Sequence, residues 1–178
     1  MLAVLLVAGL LGPAVAHAEN PRLNWPLRPR PAVVRPFDGP ELRWQRGHRG
    51  VDLAGTPGQT VYAAQSGTVV FAGELAGRPV VSVAHPGGLR TSYEPVHAVV
   101  RPGTIVGAGT VLGTLIAGHP GCPACLHWGA MWGPASRADY VDPLALLTET
   151  PIRLKPLLAK PLWPEGACLR PTRRDRCP

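Results

Sequence analysis

From residue 47 to 147 the chain reads as short apolar runs separated by Gly or Pro. Runs at 60–64, 68–72, 80–85, 89–94, 111–116 and 126–131 are β-branched or alternate apolar with polar positions, and each predicts a strand. A shorter strand is expected near 32–37. Long helical periodicity is absent, and only 143–147 predicts a helical turn. The 21 Gly and 22 Pro fit this all-β reading, because strands joined by tight turns use both.

The ends differ from this middle. Residues 2–11 (LAVLLVAGLL) are an apolar run followed by Ala16-His17-Ala18, an A-x-A cleavage signal. Residues 1–18 therefore read as a secretory signal peptide cut before Glu19. The run is too short to span a bilayer comfortably, so export is expected without a stable membrane anchor. No Lys or Arg precedes it, which leaves the true start of translation open. Residues 19–46 form a Pro- and Arg-rich lead-in, 47–147 the strand-rich domain, and 148–178 a Pro-rich basic tail. Residues 153–177 carry seven basic against two acidic side chains, so the tail holds +5 of the formal +7. A basic end suits an anionic surface such as a cell wall, and equally a solvated tail. Nucleic acid is a poor reading, since no recognition motif accompanies the charge.

Pro57-Gly58-x-x-Val61-x-Ala63 recurs as Pro102-Gly103-x-x-Val106-x-Ala108. Pro-Gly turns feeding apolar strands fit the half-motifs of lipoyl-type carriers. A carrier needs an acceptor lysine, however, and the only lysines are Lys155 and Lys160 in the tail. The motifs with more chemistry are HRGVD (48–52) and CLHWG (125–129). Two imidazoles and a carboxylate suit a tetrahedral zinc, and three protein ligands leave a fourth position open. Gly50 and the Gly- and Pro-containing run after Asp52 argue against a helical His-x-x-x-His type of site. The ligands must come from a loop that enters a strand.

The order of ligand loop, Pro-Gly turn, strand, Gly turn and strand in GHRGVDLAGTPGQTVYAAQSGTVVFAG resembles the LytM/lysostaphin-type zinc endopeptidases. These secreted enzymes cut peptide cross-links in peptidoglycan, and the resemblance spans roughly 37–147. It implies an antiparallel β-sandwich built on a duplicated hybrid motif. It implies a Zn2+ held by His48, Asp52 and His127, which occupy the H-x-x-x-D and second H-x-H positions. The family's two catalytic histidines do not carry over. Pro95 in Tyr93-Glu94-Pro95 replaces one, and Cys125 the other. With CLHWG in place of H-x-H, the chain is similar to actinobacterial variants of the family.

General acid–base help is worth ~10²–10⁴ in rate and an oxyanion donor ~10²–10³. Losing both would remove ~10⁴ or more, so weak or lost catalysis is expected. His97 and His119 are the substitutes nearest in sequence. Alternation is expected to turn Glu94 away from the site, and His85 matches a non-ligand histidine of the family. Cys125 shares a strand face with His127 and has three readings: a disulfide with Cys122, a fourth zinc ligand, or a free nucleophile. Export and short spacing favour Cys122–Cys125 and Cys168–Cys177. The chain is thus expected to be a wall-associated, secreted metallopeptidase-like protein whose partners are peptidoglycan peptides or another wall component. The competing class is a non-catalytic module that binds wall peptides or regulates a hydrolase through the same groove. The sequence does not fix an oligomeric state.

Overall fold

A computed structural model describes residues 22–42 and 44–147. The expected signal segment, the basic tail and the expected Cys168–Cys177 pairing lie outside the described residues. Eleven strands, all paired antiparallel, make up the described fold: β1 (Val33–Arg35), β2 (Val51–Ala54), β3 (Thr60–Tyr62), β4 (Gly67–Leu75), β5 (Arg78–Ala84), β6 (Leu89–Glu94), β7 (Val96–Ala98), β8 (Ile105–Val106), β9 (Val111–Leu115), β10 (Cys125–Trp132) and β11 (Asp139–Val141). The larger sheet runs β1-β2-β10-β6-β5-β4-β8, with β11 added on β10; the smaller runs β3-β9-β7. The only helical elements among the described residues are short 3-10 turns, including Pro143–Leu146. No helix among them is long and apolar enough to cross a membrane.

The predicted strand at 89–94 matches β6 from end to end, and the other five lie within or overlap observed strands. The two copies of the repeat adopt one local structure. Gly58 and Gly103 both take positive φ (85° and 89°), a backbone state that costs glycine little, and each turn delivers a buried valine, Val61 and Val106. The copies diverge afterwards, since β3 joins the small sheet and β8 edges the large one.

Period-two alternation sets the two faces of the large sheet. Val51 and Leu53 of β2, Thr91 and Tyr93 of β6, and Leu126, Trp128 and Ala130 of β10 are buried. All but Thr91 join Val61, Val96, Leu112 and Leu115 of the small sheet in one hydrophobic core. Leu23 and Leu27, from the Pro-rich segment, are fully buried in that core as well. Leu23 N–H donates to Leu146 O at 2.7 Å, and Trp25 packs on Trp128 at 6.4 Å between ring centroids. Each fully buried Leu or Val is worth about 1.5–3 kcal/mol relative to exposure. This inner packing leaves the intervening residues of β2, β10 and β6 on the opposite face, and the chemistry lies there.

Candidate metal centre

Asp52, His127 and Glu94 form a row across three strands. His127 stands directly opposite Asp52 on β2 and directly opposite Glu94 on β6. Directly opposed residues in antiparallel strands share a face, so the three side chains emerge together. His48 reaches the same place from just before β2. Its backbone bridges Asp38 through His48 N–H to Asp38 O at 2.7 Å and Asp38 N–H to His48 O at 2.9 Å. Residues 49–50 then turn the chain into β2. His48 and Asp52 thus come from a bridge and a strand, as the glycine-rich context predicts.

Three polar atoms converge. His48 Nε2 and His127 Nδ1 each lie 2.9 Å from Asp52 Oδ1, and 3.1 Å from each other. The three ligand atoms form a set in which every pair is within 4.8 Å. His48 Nδ1 is 2.6 Å from the Pro36 carbonyl, which can only accept, so Nδ1 carries the proton. Its Nε2 lone pair then faces a carboxylate oxygen at hydrogen-bond distance. Two acceptors tolerate this contact only with a cation between them or a second proton on the ring. Nitrogen, nitrogen and oxygen donors directed at one point are the ligand types zinc takes, and the backbone hydrogen bond on Nδ1 is the outer contact that fixes such a ligand's tautomer. The residues fit the ion.

Asp52 is buried. Burial works against its charged form, but the His127 hydrogen bond and the charges of His119, His48 and His127 outweigh it. The carboxyl is held below its ordinary range. Gly50 makes the cluster possible: a Cβ there would stand 2.7 Å from His127 Nε2 and 2.6 Å from Trp128 O, so no larger residue fits beneath that ring.

The two proposed substitutes separate. His97 is exposed on β7 in the small sheet, opposite Thr114, and does not line the cavity over the triad. His119 does line it. Its Nε2 is 3.3 Å from Asp52 Oδ1, and its ring stacks on His127 with centroids 5.6 Å apart. Pro95 is buried, and its carbonyl accepts from Ile116 N–H at 3.2 Å. Cys125 is buried and disulfide-bonded to Cys122, which removes it as a thiolate ligand or nucleophile.

Glu94 corrects the sequence reading. It does not turn away: β6 buries Tyr93 and presents Glu94 beside His127, where its carboxylate pairs with Arg78 at 2.9 Å. The strand ends at Glu94, so alternation does not carry through to Pro95. Counting from the apolar Leu89 and Tyr93 would have found it. The cavity, about 280 Å³, is walled by Arg35, Arg49 and Arg78 as well as by Glu94 and the histidines. Two larger hollows nearby share Arg49 but none of the triad.

His85, read as structural, sits in the core away from this face. Its Nδ1 is 2.9 Å from Ser66 O and its Nε2 is 2.8 Å from Thr91 Oγ1, which in turn contacts the Tyr93 hydroxyl at 2.9 Å. Burial pushes the Tyr93 hydroxyl up to about 12.

Comparison with known proteins identifies a family and a fold. Residues 46–143 match the family described as Peptidase family M23. A protein of Mycobacterium tuberculosis strain H37Rv, described as Uncharacterized protein Rv2891, is 72% identical over 156 residues, covering 86% of this chain and 63% of its own length. The chain therefore spans less than two thirds of the curated relatives it matches. Among solved structures, Helicobacter pylori Csd3 superposes with a TM-score of 0.59 at 26% identity, over 74% of this chain and 36% of that one. The catalytic domain of lysostaphin from Staphylococcus simulans gives a TM-score of 0.53 at 24% identity, over 62% and 88% of the respective chains. That last likeness is one of fold.

Proposed function

Because the chain belongs to peptidase family M23, we propose that it is a secreted, cell-wall-directed zinc metalloendopeptidase-like protein whose groove takes peptidoglycan cross-link peptides. The observation that carries the reading is the convergence of His48 Nε2 and His127 Nδ1 on Asp52 Oδ1. Zinc bound there would supply polarisation of a peptide carbonyl and activation of water. The protein's own part is to hold the ion and orient the peptide. The Pro36 carbonyl fixes the His48 tautomer, Gly50 leaves room for the His127 ring, and the core beneath β2 and β10 holds both strands in register.

Proton transfer is where the site is weak. Pro95 offers no side-chain donor or acceptor, and the Cys125 sulfur is bonded to Cys122. We infer slow or absent hydrolysis, which favours a second reading: a module that binds wall peptides, or regulates a hydrolase, through the same groove. The test has two arms. Elemental analysis of gently purified protein is expected to find about one zinc per chain. Digestion of purified peptidoglycan, read as new amino termini with and without chelator, is expected to show little release. Robust chelator-sensitive release would overturn the weak-catalysis reading, while no release with measurable wall binding would favour the module. Absence of zinc would overturn the metal assignment.

A further inference from the structure

The loop from 116 to 124, between β9 and β10, is closed on itself in two ways. Cys122 N–H donates to His119 O at 3.3 Å, and the Cys122–Cys125 disulfide ties the loop to the first residue of β10, two positions before His127. Gly118, Pro120 and Gly121 around it are exposed, yet only 8% of the His119 side chain is. The clasp folds one histidine inward from an otherwise solvent-facing loop.

The inward ring repeats the arrangement of His48. His119 Nδ1 is 2.9 Å from the Pro120 carbonyl, which can only accept, so Nδ1 carries the proton. That leaves Nε2 as the lone-pair atom, 3.3 Å from the same Asp52 Oδ1 that His48 Nε2 faces at 2.9 Å. Two imidazoles, each with its outer nitrogen bonded to a backbone carbonyl, turn the ligand nitrogen to one carboxylate oxygen. Such outer-shell hydrogen bonds characterise metal-binding histidines.

We propose that His119 Nε2 is a fourth protein ligand of the metal held by His48, Asp52 and His127, and that the Cys122–Cys125 disulfide is the clasp that positions it. The proposal rests on the metal reading above. A four-ligand zinc site is closed, whereas a catalytic one keeps an open position. His119 is the outermost of the four: its Nε2 is not part of the set whose ligand atoms all lie within 4.8 Å of one another, and it meets that trio through Asp52 Oδ1 and the face of the His127 ring. It is therefore the ligand that must leave before a peptide carbonyl can enter. The disulfide at Cys125 thus does more than remove a histidine from the strand, because it brings another in from the loop.

Zinc affinity, measured by competition with a chromophoric chelator, tests this without recourse to activity. His119→Ala and His119→Gln are expected to weaken zinc binding about ten-fold or more, with unchanged far-ultraviolet circular dichroism showing that both variants fold. In cobalt-substituted protein the visible spectrum should change in both variants and respond to added azide, which the unmodified protein should resist. Cys122→Ser with Cys125→Ser should weaken zinc in the unmodified background but not further when His119 is already Ala, since clasp and ligand act as one unit. Equal zinc affinity and an unaltered cobalt spectrum in the His119 variants would overturn the proposal. If those variants also hydrolysed wall more slowly, His119 would instead be a proton-transfer group. No zinc in the unmodified protein would bring down the metal reading and this one together; zinc at equal affinity in both brings down this one alone.

Discussion

His48 and His85 begin alike and end differently. Each ring has Nδ1 on a backbone carbonyl, Pro36 for one and Ser66 for the other. Each is buried to a similar degree, at 5% exposure. What differs is the partner of Nε2. His85 meets the Thr91 hydroxyl, a group that can accept as well as donate, so this contact needs no cation in either protonation of the ring. His48 meets Asp52 Oδ1, which can only accept once ionised, and two further imidazoles crowd the same oxygen. One arrangement is complete; the other is completed only by a cation or by a second proton on the ring. Burial and the Nδ1 hydrogen bond are alike for the two rings; it is the donor or acceptor character of the far partner that marks His48 as the candidate metal ligand.

The sharpest way to break the comparison is at the ligands. His127→Ala is expected to abolish stoichiometric zinc, and with it the stabilisation that zinc adds, about 2.7 kcal/mol at a free concentration one hundred times Kd. Elemental analysis and thermal unfolding with and without zinc read both effects. His85→Ala, in contrast, should keep its zinc. Metal retained by the His127 variant would remove the basis for treating the two rings differently.

A smaller effect is expected at Gly50. Ala there would press its Cβ on the His127 ring and on the Trp128 carbonyl, and the carbonyl is held while β10 stays paired on both sides. The ligand ring must tilt, and zinc should weaken by about ten-fold or more, as when the supports of other metal ligands are removed. Affinity within two-fold of the unmodified protein would mean that the ring is not held by this contact.

The strands and the triad were legible because they rest on local signals: alternation over 89–94, the Pro-Gly repeat, and ligand types in HRGVD and CLHWG. Four strands were not. β2, β7, β8 and β11 are two to four residues long, and their pairing is decided by neighbours distant in sequence. Leu23 and Leu27 were hidden for the same reason, since a Pro-rich segment gives no periodicity to show which residues it buries. Glu94 was within reach of the sequence but was read with the wrong parity at the strand end. The difference between His97 and His119 was out of reach. It depends on which loop a disulfide folds over β10, and spacing along the chain does not record that.

Inside the core the expected effect is on stability and not on metal. His85→Ala strands the Ser66 carbonyl and leaves the Thr91 hydroxyl with Tyr93 as its remaining partner, which costs about 1–3 kcal/mol for a buried polar group left unmade. Chemical denaturation of zinc-loaded protein measures it. A cost near zero would mean that water replaces the ring at that site, and that the inner histidine is as exchangeable as a surface one.

The smallest effect is also the most specific to the inner ring. Burial pushes His85 below its ordinary histidine range, and the hydrogen bond to Ser66 O recovers only part of that shift. In the unfolded chain the same residue titrates near about 6.5. Between its folded value and about 6.5, the unfolded state therefore binds more protons than the folded state, and stability must rise with pH across that window. Above it the contribution is complete; as pH falls through it, the contribution shrinks. His85→Gln cannot titrate, so the stability difference between the unmodified protein and this variant should widen from pH 5 to about 6.5 and then level off. Taking the difference cancels the titration of the outer histidines, which both proteins share, and chelator in both samples removes the metal's own pH dependence. A difference that stays flat over pH 5–8 would mean that burial does not set the charge of His85. The contrast with His48 would then rest on the partner of Nε2 alone.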